Sequence, residues 1–170
     1  MTSVNNSNDP NDQVFMQRAY ELAQQAEQLN EIPVGAVVVY QDKIIGEGFN
    51  QSILLNDPSA HAEMIAIRQA GKYLNNYRLI DCTLYVTLEP CPMCAGLLVH
   101  SRIARLVYAS PDLKTGAAGS AFNLVNSPQL NHHIVVDNDI MTKQCSALLS
   151  GFFKRRRSEK KLAKKALKPE

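Results

Sequence analysis

A chain of 170 residues, 45% hydrophobic and 20% charged, has the length of one domain and the apolar content for a proper core. It holds no uncharged apolar run long enough to span a bilayer, and its polar opening, MTSVNNSNDPND, lacks the basic-then-apolar layout of a signal peptide. The net charge of +2 hides an asymmetry: nine of the 18 Lys/Arg but only two of the 16 acids lie from Lys154 to Glu170, a local +7 beside a body of −5.

These numbers make a cytoplasmic protein with no membrane contact the default expectation. Four cysteines in that setting are read as thiols or metal ligands rather than disulfides. The basic end suits nucleic-acid contact, or else is a solvated, partly disordered tail.

Taken in chain order, residues 1–11 read as a polar, disordered N-terminus. Phe15, Ala19, Leu22, Ala26 and Leu29 recur at spacings of three and four, which predicts a helix over about residues 12 to 29. IPVGAVVVY and IIGEGFN, joined by QDK, predict a β-hairpin. LLNDPSAHAEMIAIRQAG predicts a helix capped by Asp57 or Ser59, with Pro58 in its first turn and Gly71 at its end. The contiguous Met64, Ile65, Ala66 and Ile67 suggest that this helix is buried on most sides.

CTLYVTL is a third strand, and EPCPMCAGLLVHS a turn leading into an apolar helix. RIARLVYAS is a fourth strand and HHIVV a weaker fifth. A final helix is expected from about Asp139, with Met141, Cys145, Leu148, Leu149 and Phe152 on its apolar stripe, which fades beyond Lys154. No internal repeat or second domain is visible, so one domain over residues 12–157 is expected, followed by a basic tail over 158–170. Helices alternating with strands point to an α/β protein, a sheet covered on both faces.

PCPMC, residues 90 to 94, is the motif that carries chemistry. A CxxC alone could be a disulfide, a redox couple, half of a structural zinc knuckle or part of a catalytic metal site. Upstream, HAE places His61 and Glu63 at the start of a predicted helix, and Cys91 and Cys94 likewise open one. One imidazole and two thiolates suit zinc by softness and by tetrahedral geometry. Helix N-termini favour thiolate over thiol.

A closed structural site wants four ligands, and this constellation has three, so one position remains for water, as in a catalytic zinc site. His100, His132, His133, Cys82 and Cys145 lack motif spacing to the set. Cys82 and Cys145 read as core thiols, and His132 and His133 as loop or strand-edge residues. Glu63, near the metal without being needed as a ligand, suits a proton shuttle. The pattern HxE followed by PCxxC is that of zinc nucleobase deaminases. A small-molecule deaminase and a zinc-stabilised RNA-binding protein are the competing readings. The first needs no basic terminal helix, and the second has no use for Glu63.

From about Val14 to Arg157 the chain resembles the bacterial tRNA-specific adenosine deaminases. The stretches that carry the likeness are IPVGAVVV, GEGFN, DPSAHAEMIAIRQ, NYRLIDCTLYVTLEPCPMCAG, HSRIARLVY, KTGAAGS and CSALLSGFFKRRR. The resemblance implies a three-layer α/β/α sandwich with a mixed five-stranded sheet, of the cytidine deaminase kind. It implies one Zn2+ per subunit on His61, Cys91 and Cys94, with Glu63 relaying protons while zinc-bound hydroxide attacks C6 of the wobble adenosine of an arginine tRNA.

Asn50 would read the purine edge, Val34, Leu88 and Pro90 would wall the base, and the backbone amide of Ala62 would help to hold it. Asp112 would meet a neighbouring sugar, or else is a turn residue. Phe153 and the cations through Arg156 and Arg157 would contact the RNA, and a homodimer is implied. The chain departs from the pattern at Cys82, where a small residue is expected, at Pro92 inside the metal motif, and in SEKKLAKKALKPE, which the resemblance leaves unassigned.

Overall fold

The structure is a computed structural model, and it describes residues 9–167. Five strands form one mixed sheet in the order β2-β1-β3-β4-β5. These are β1 (Gly35–Tyr40), β2 (Lys43–Phe49), β3 (Thr83–Leu88), β4 (Arg105–Ser110) and β5 (Val135–Asn138). β1 pairs antiparallel with both β2 and β3, whereas β3–β4 and β4–β5 are parallel. The helices are α1 (Pro10–Gln28), α2 (Ala62–Leu74), α3 (Pro92–His100) and α4 (Thr142–Ala166).

Side chains alternate along each strand, and the two faces build two cores. Val37, Val39, Tyr85, Val107 and Ala109 pack with Phe15, Met16, Ala19 and Leu22 of α1 and Cys145 of α4. Ala36, Val38, Leu84, Val86, Leu106 and Tyr108 pack on the other face with Ala66 and Ala70 of α2 and Leu98 of α3. The expected α/β/α sandwich is therefore what forms. Its first layer is pinned by a part-buried ion group: Arg105 grips the buried Asp12 through two bonds of 2.7 Å and also bonds Asp137 at 2.6 Å, while the Tyr85 hydroxyl donates to Asp12 at 2.7 Å.

Several element boundaries differ from the sequence reading. α1 begins at Pro10, because Asp9 is its cap and accepts from the Asn11 N–H at 2.9 Å; residues 1–8 of the predicted disordered segment lie outside the described residues. α2 begins after His61, so neither Asp57 nor Ser59 caps it; Asp57 instead accepts from the backbone N–H and the hydroxyl of Ser59. α2 also runs through Gly71 and stops at Asn75, which takes the left-handed conformation at φ 49°.

Burial on α2 is one-sided: Ala62, Glu63, Ala66, Ile67 and Ala70 are buried, while Arg68 and Gln69 are exposed. Small residues make that contact. A Cβ at Gly46 or Gly48 of β2 would collide with the carbonyl oxygens of Ala66 and Ala62, so the two glycines let the helix lie close on the strand. α4 starts at Thr142 rather than Asp139 and continues as helix to Ala166, so the expected boundary after Arg157 falls inside an element.

Candidate active site

Antiparallel pairing of β1 with β3 sets the start of β1 beside the end of β3, and the Gly35 N–H donates to Thr87 Oγ1 at 3.1 Å. β2 returns along β1 and ends at Phe49 opposite Gly35, so Asn50 reaches the same end of the sheet and donates its N–H to the Val34 carbonyl at 3.1 Å. α2 and α3 begin there too, with His61 and Cys91 as their N-cap residues. Neither side chain makes a capping bond, because each is turned toward the other.

His61 Nδ1 lies 3.5 Å from Cys94 Sγ and 3.7 Å from Cys91 Sγ, and the three donor atoms lie within 4.8 Å of one another. Tetrahedral zinc with ordinary Zn–N and Zn–S lengths has N···S edges of about 3.6 Å. The donor set therefore fits zinc in both chemistry and size. Among the described residues no other group of His, Cys, Asp and Glu meets the same geometric test.

Electrostatics point the same way. The Cys91 thiol is pushed down to about 4, chiefly by the hydrogen bond from Cys94 and further by His61, against the opposing effect of burial. Cys94 is pushed up by that same hydrogen bond and by its burial. One thiolate thus forms readily, and the second proton leaves when a cation displaces it. His61 is raised by its bond to Cys91.

Glu63, on the first turn of α2, is 4% exposed, and its burial pushes its carboxyl up to about 7 against the pull of His61. A carboxyl poised near neutrality can both take and give a proton at cellular pH.

These groups open onto a cavity of about 650 Å³. Val34, Asn50 and Leu88 line it together with His61, Glu63 and Cys91, as do Asp112 and Phe153. Asn50 is set by the fold: its Oδ1 accepts the Ala62 N–H at 2.9 Å, which leaves the Nδ2 protons as donors toward the cavity. The Ala62 amide is spent on that bond. Pro90 is buried and does not line the cavity; its carbonyl accepts from the Ala117 N–H at 2.8 Å. Arg156 does not line the cavity and pairs with Glu159 at 3.2 Å.

Arg157 lines the cavity instead, completing a row of Leu149, Phe153 and Arg157 at spacings of four. That spacing on a helix is the signal that could have picked Arg157 from the sequence. Phe153 is 40% exposed whereas Phe152 is 3% exposed, so the two aromatics divide between cavity and core. Cys82 and Cys145 are buried thiols, His132 bonds the Ile103 carbonyl at 2.7 Å, and His133 lies within 3.3 Å of the Ser127 carbonyl.

Sequence reasoning missed Glu89. It is 2% exposed, and its carboxylate accepts the backbone N–H groups of Asp112, Ala118 and Ser120, each at 3.0 Å. It thereby holds the loop whose residues Pro111 to Thr115 line the cavity. Gly116 has no room for a side chain there, since a Cβ would overlap the Glu89 carboxylate. Asp112 turns the same loop, accepting from the Lys114 and Thr115 N–H groups and from the Thr115 hydroxyl.

A mixed sheet carrying a His/Cys/Cys group at the starts of two helices, with a buried glutamate beside it, defines a zinc-dependent deaminase domain. Residues 9–110 match the family described as the cytidine and deoxycytidylate deaminase zinc-binding region. The chain is 53% identical to the tRNA-specific adenosine deaminase of Haemophilus influenzae over 158 residues, 92% of this chain and 91% of that one. It is 41% identical to the protein of that name from Bacillus subtilis, over 92% of this chain and 97% of that one. A solved structure from work on A-to-I editing by tRNA:A34 deaminases at the wobble position of transfer RNA superposes with a TM-score of 0.78 at 38% identity, covering 80% of this chain and 99% of that one. The chain belongs to the tRNA-specific adenosine deaminase family.

Proposed function

We propose that the protein hydrolyses the wobble adenosine of an arginine tRNA to inosine, consuming water and releasing ammonia. The observation that carries the reading is the buried Glu63 sharing one cavity with the zinc-sized His61, Cys91 and Cys94 group. A binding protein has no use for a carboxylate buried at that cost beside a metal. His61, Cys91 and Cys94 would hold zinc, which when bound would supply Lewis-acid activation of water near neutral pH.

Glu63 accepts one proton from the attacking water and delivers it to N1 of the base, then relays the second, from the hydroxyl now on C6, to the departing amine, so that ammonia leaves as the C6 carbonyl forms and N1 keeps its proton. Asn50 donates through Nδ2 to an acceptor nitrogen of the purine edge, and Val34 and Leu88 exclude water from the ring faces. Phe153 stacks on an unpaired neighbouring base and Arg157 meets a phosphate. Asp112, which already turns its loop through three accepted hydrogen bonds, has one lone pair left on Oδ2 to accept a 2′-hydroxyl.

The same proposal makes the protein a cytoplasmic homodimer. In support, a groove of about 570 Å³ between α2 and α3 is lined by Ile67, Gly71, Tyr77 and Leu97, and Tyr73 and Tyr77 are 63% and 70% exposed. No helix among the described residues is long and apolar enough to cross a membrane.

The test is incubation with an arginine-tRNA anticodon stem-loop carrying adenosine at the wobble position, beside free adenosine, cytidine, cytosine and guanine, with inosine and ammonia as readouts. Inosine from the RNA alone is the expected result. Ammonia from a free base or nucleoside alone would overturn the substrate assignment. Sedimentation equilibrium, with a dimer expected, tests the assembly.

A further inference from the structure

α4 does not end at the cavity. The row Leu149, Phe153 and Arg157 continues at the same spacing of four through Lys161 to Lys165, and Arg157, Lys160, Lys161, Lys164 and Lys165 line a second groove along the helix. Arg157 lines both, so the basic groove adjoins the catalytic cavity. Every residue from Arg157 to Leu167 is exposed, and among the described residues none of the five cations has an acidic partner within 4 Å. The single acid of this stretch, Glu159, is engaged with Arg155 and Arg156 and does not line the groove.

We infer that this helical extension is a phosphate track for the RNA strand that adjoins the deaminated nucleotide, gripping the stem while the cavity holds the loop. The inference rests on the tRNA reading above. From Arg157 to Lys165 the helix advances about 12 Å, long enough to meet several consecutive phosphates of one strand of an A-form stem. Cations without acidic partners among the described residues, carried by a chain whose other residues sum to a negative charge, are free to bind a polyanion. A lipid surface is the weaker match for this helix. Its apolar side beyond Phe153 offers Leu162 and Leu167 and otherwise only alanines, whereas the cation row leads directly into the cavity.

The experiment uses the full chain and a K160Q/K161Q/K164Q/K165Q variant, all exposed positions where Gln keeps helix propensity. Binding of a full-stem anticodon hairpin and of the loop oligonucleotide alone is measured against salt, together with turnover of each and binding to phosphatidylserine vesicles. For the hairpin, removing four phosphate contacts lowers the slope of log K against log salt by about 3, with affinity at low salt down about tenfold or more. Binding and turnover of the loop oligonucleotide stay unchanged. An unaltered hairpin slope overturns the inference, as does a loss confined to vesicle binding. If neither RNA yields inosine even with the unmodified chain, the functional reading fails instead, and the hairpin slope still decides whether the track exists.

Discussion

Glu89 accepts the backbone N–H of Asp112 at 3.0 Å across 23 residues of chain, so a carboxylate buried at the end of β3 sets the position of the loop over the cavity. Its two oxygens take three N–H donors in all. Glu89→Gln keeps the shape but turns an NH2 group toward a backbone donor. Each unsatisfied buried group costs about 1–3 kcal/mol. The expected outcome is a stability loss of that order and a rise in KM for the RNA that exceeds any fall in kcat, with zinc content unchanged. Steady-state kinetics with urea denaturation read both, and a wild-type KM would remove Glu89 from the loop's support.

The five strands and the cover of helices on both faces were legible because strand alternation and helix periodicity are local signals, whereas the order β2-β1-β3-β4-β5 rests on pairings between distant residues and was not. His61, Glu63, Cys91 and Cys94 were legible because their motifs are contiguous. Helix starts were less so. His61 and Cys91 occupy N-cap positions without capping, since their side chains turn toward each other and Cys94 instead. Glu89 could not be read at all, as its partners lie 23 to 31 residues away in a loop without periodicity. α4 was underestimated for another reason. Beyond Lys154 its helicity comes from Lys, Arg, Ala and Leu propensity rather than from an apolar stripe. A single residue turns a helix by about 100°, which separates Arg157 on the cavity from Arg156 beside Glu159.

Glu63 lines the cavity without belonging to the metal-sized donor group. Glu63→Gln removes the carboxyl proposed as the proton relay and leaves His61, Cys91 and Cys94 in place. Turnover on the stem-loop should fall about a hundred- to ten-thousandfold, while elemental analysis still finds one zinc per chain. Substantial activity in this variant would exclude the carboxyl as the relay.

Cys91 is the ligand most ready to ionise. In Cys91→Ser a weakly acidic hydroxyl replaces a thiolate, and zinc affinity should fall by more than the roughly ten- to hundredfold that changes around the ligands cost. Dialysis of the unmodified protein against a chelator should lower its Tm, and added zinc should restore it, because the metal joins the starts of α2 and α3. Unchanged metal content in Cys91→Ser would contradict the ligand set.

Asp12 is 1% exposed and holds Arg105 by two bonds and Tyr85 by one. Asp12→Ala removes a buried carboxylate and leaves the part-buried Arg105 guanidinium with only part of its partners, a change expected to cost about 1–3 kcal/mol, below that of breaking a fully buried pair. Because this group lies on the face of the sheet that carries α1, zinc content should survive at temperatures where the protein remains folded. A shift of less than about 1 kcal/mol in urea denaturation would mean that the ion group contributes no more than a surface pair.

Asp112 faces opposing influences. Partial burial favours its neutral form, but the Thr115 hydroxyl and the Thr115 and Lys114 N–H groups together outweigh it and hold its pKa below the ordinary 3.8. A depressed folded pKa means that the carboxylate's contribution to the turn is complete above 3.8 and lost as pH falls through a midpoint lower than that. The backbone amide shifts of Lys114 and Thr115 should therefore titrate together, below pH 3.8, and the transition should vanish in Asp112→Asn. A midpoint at or above 3.8 would show that burial wins, and that the turn does not hold the charged form. Since the loop keeps its charge throughout the neutral range, any activity limb near pH 7 must come from groups deeper in the cavity.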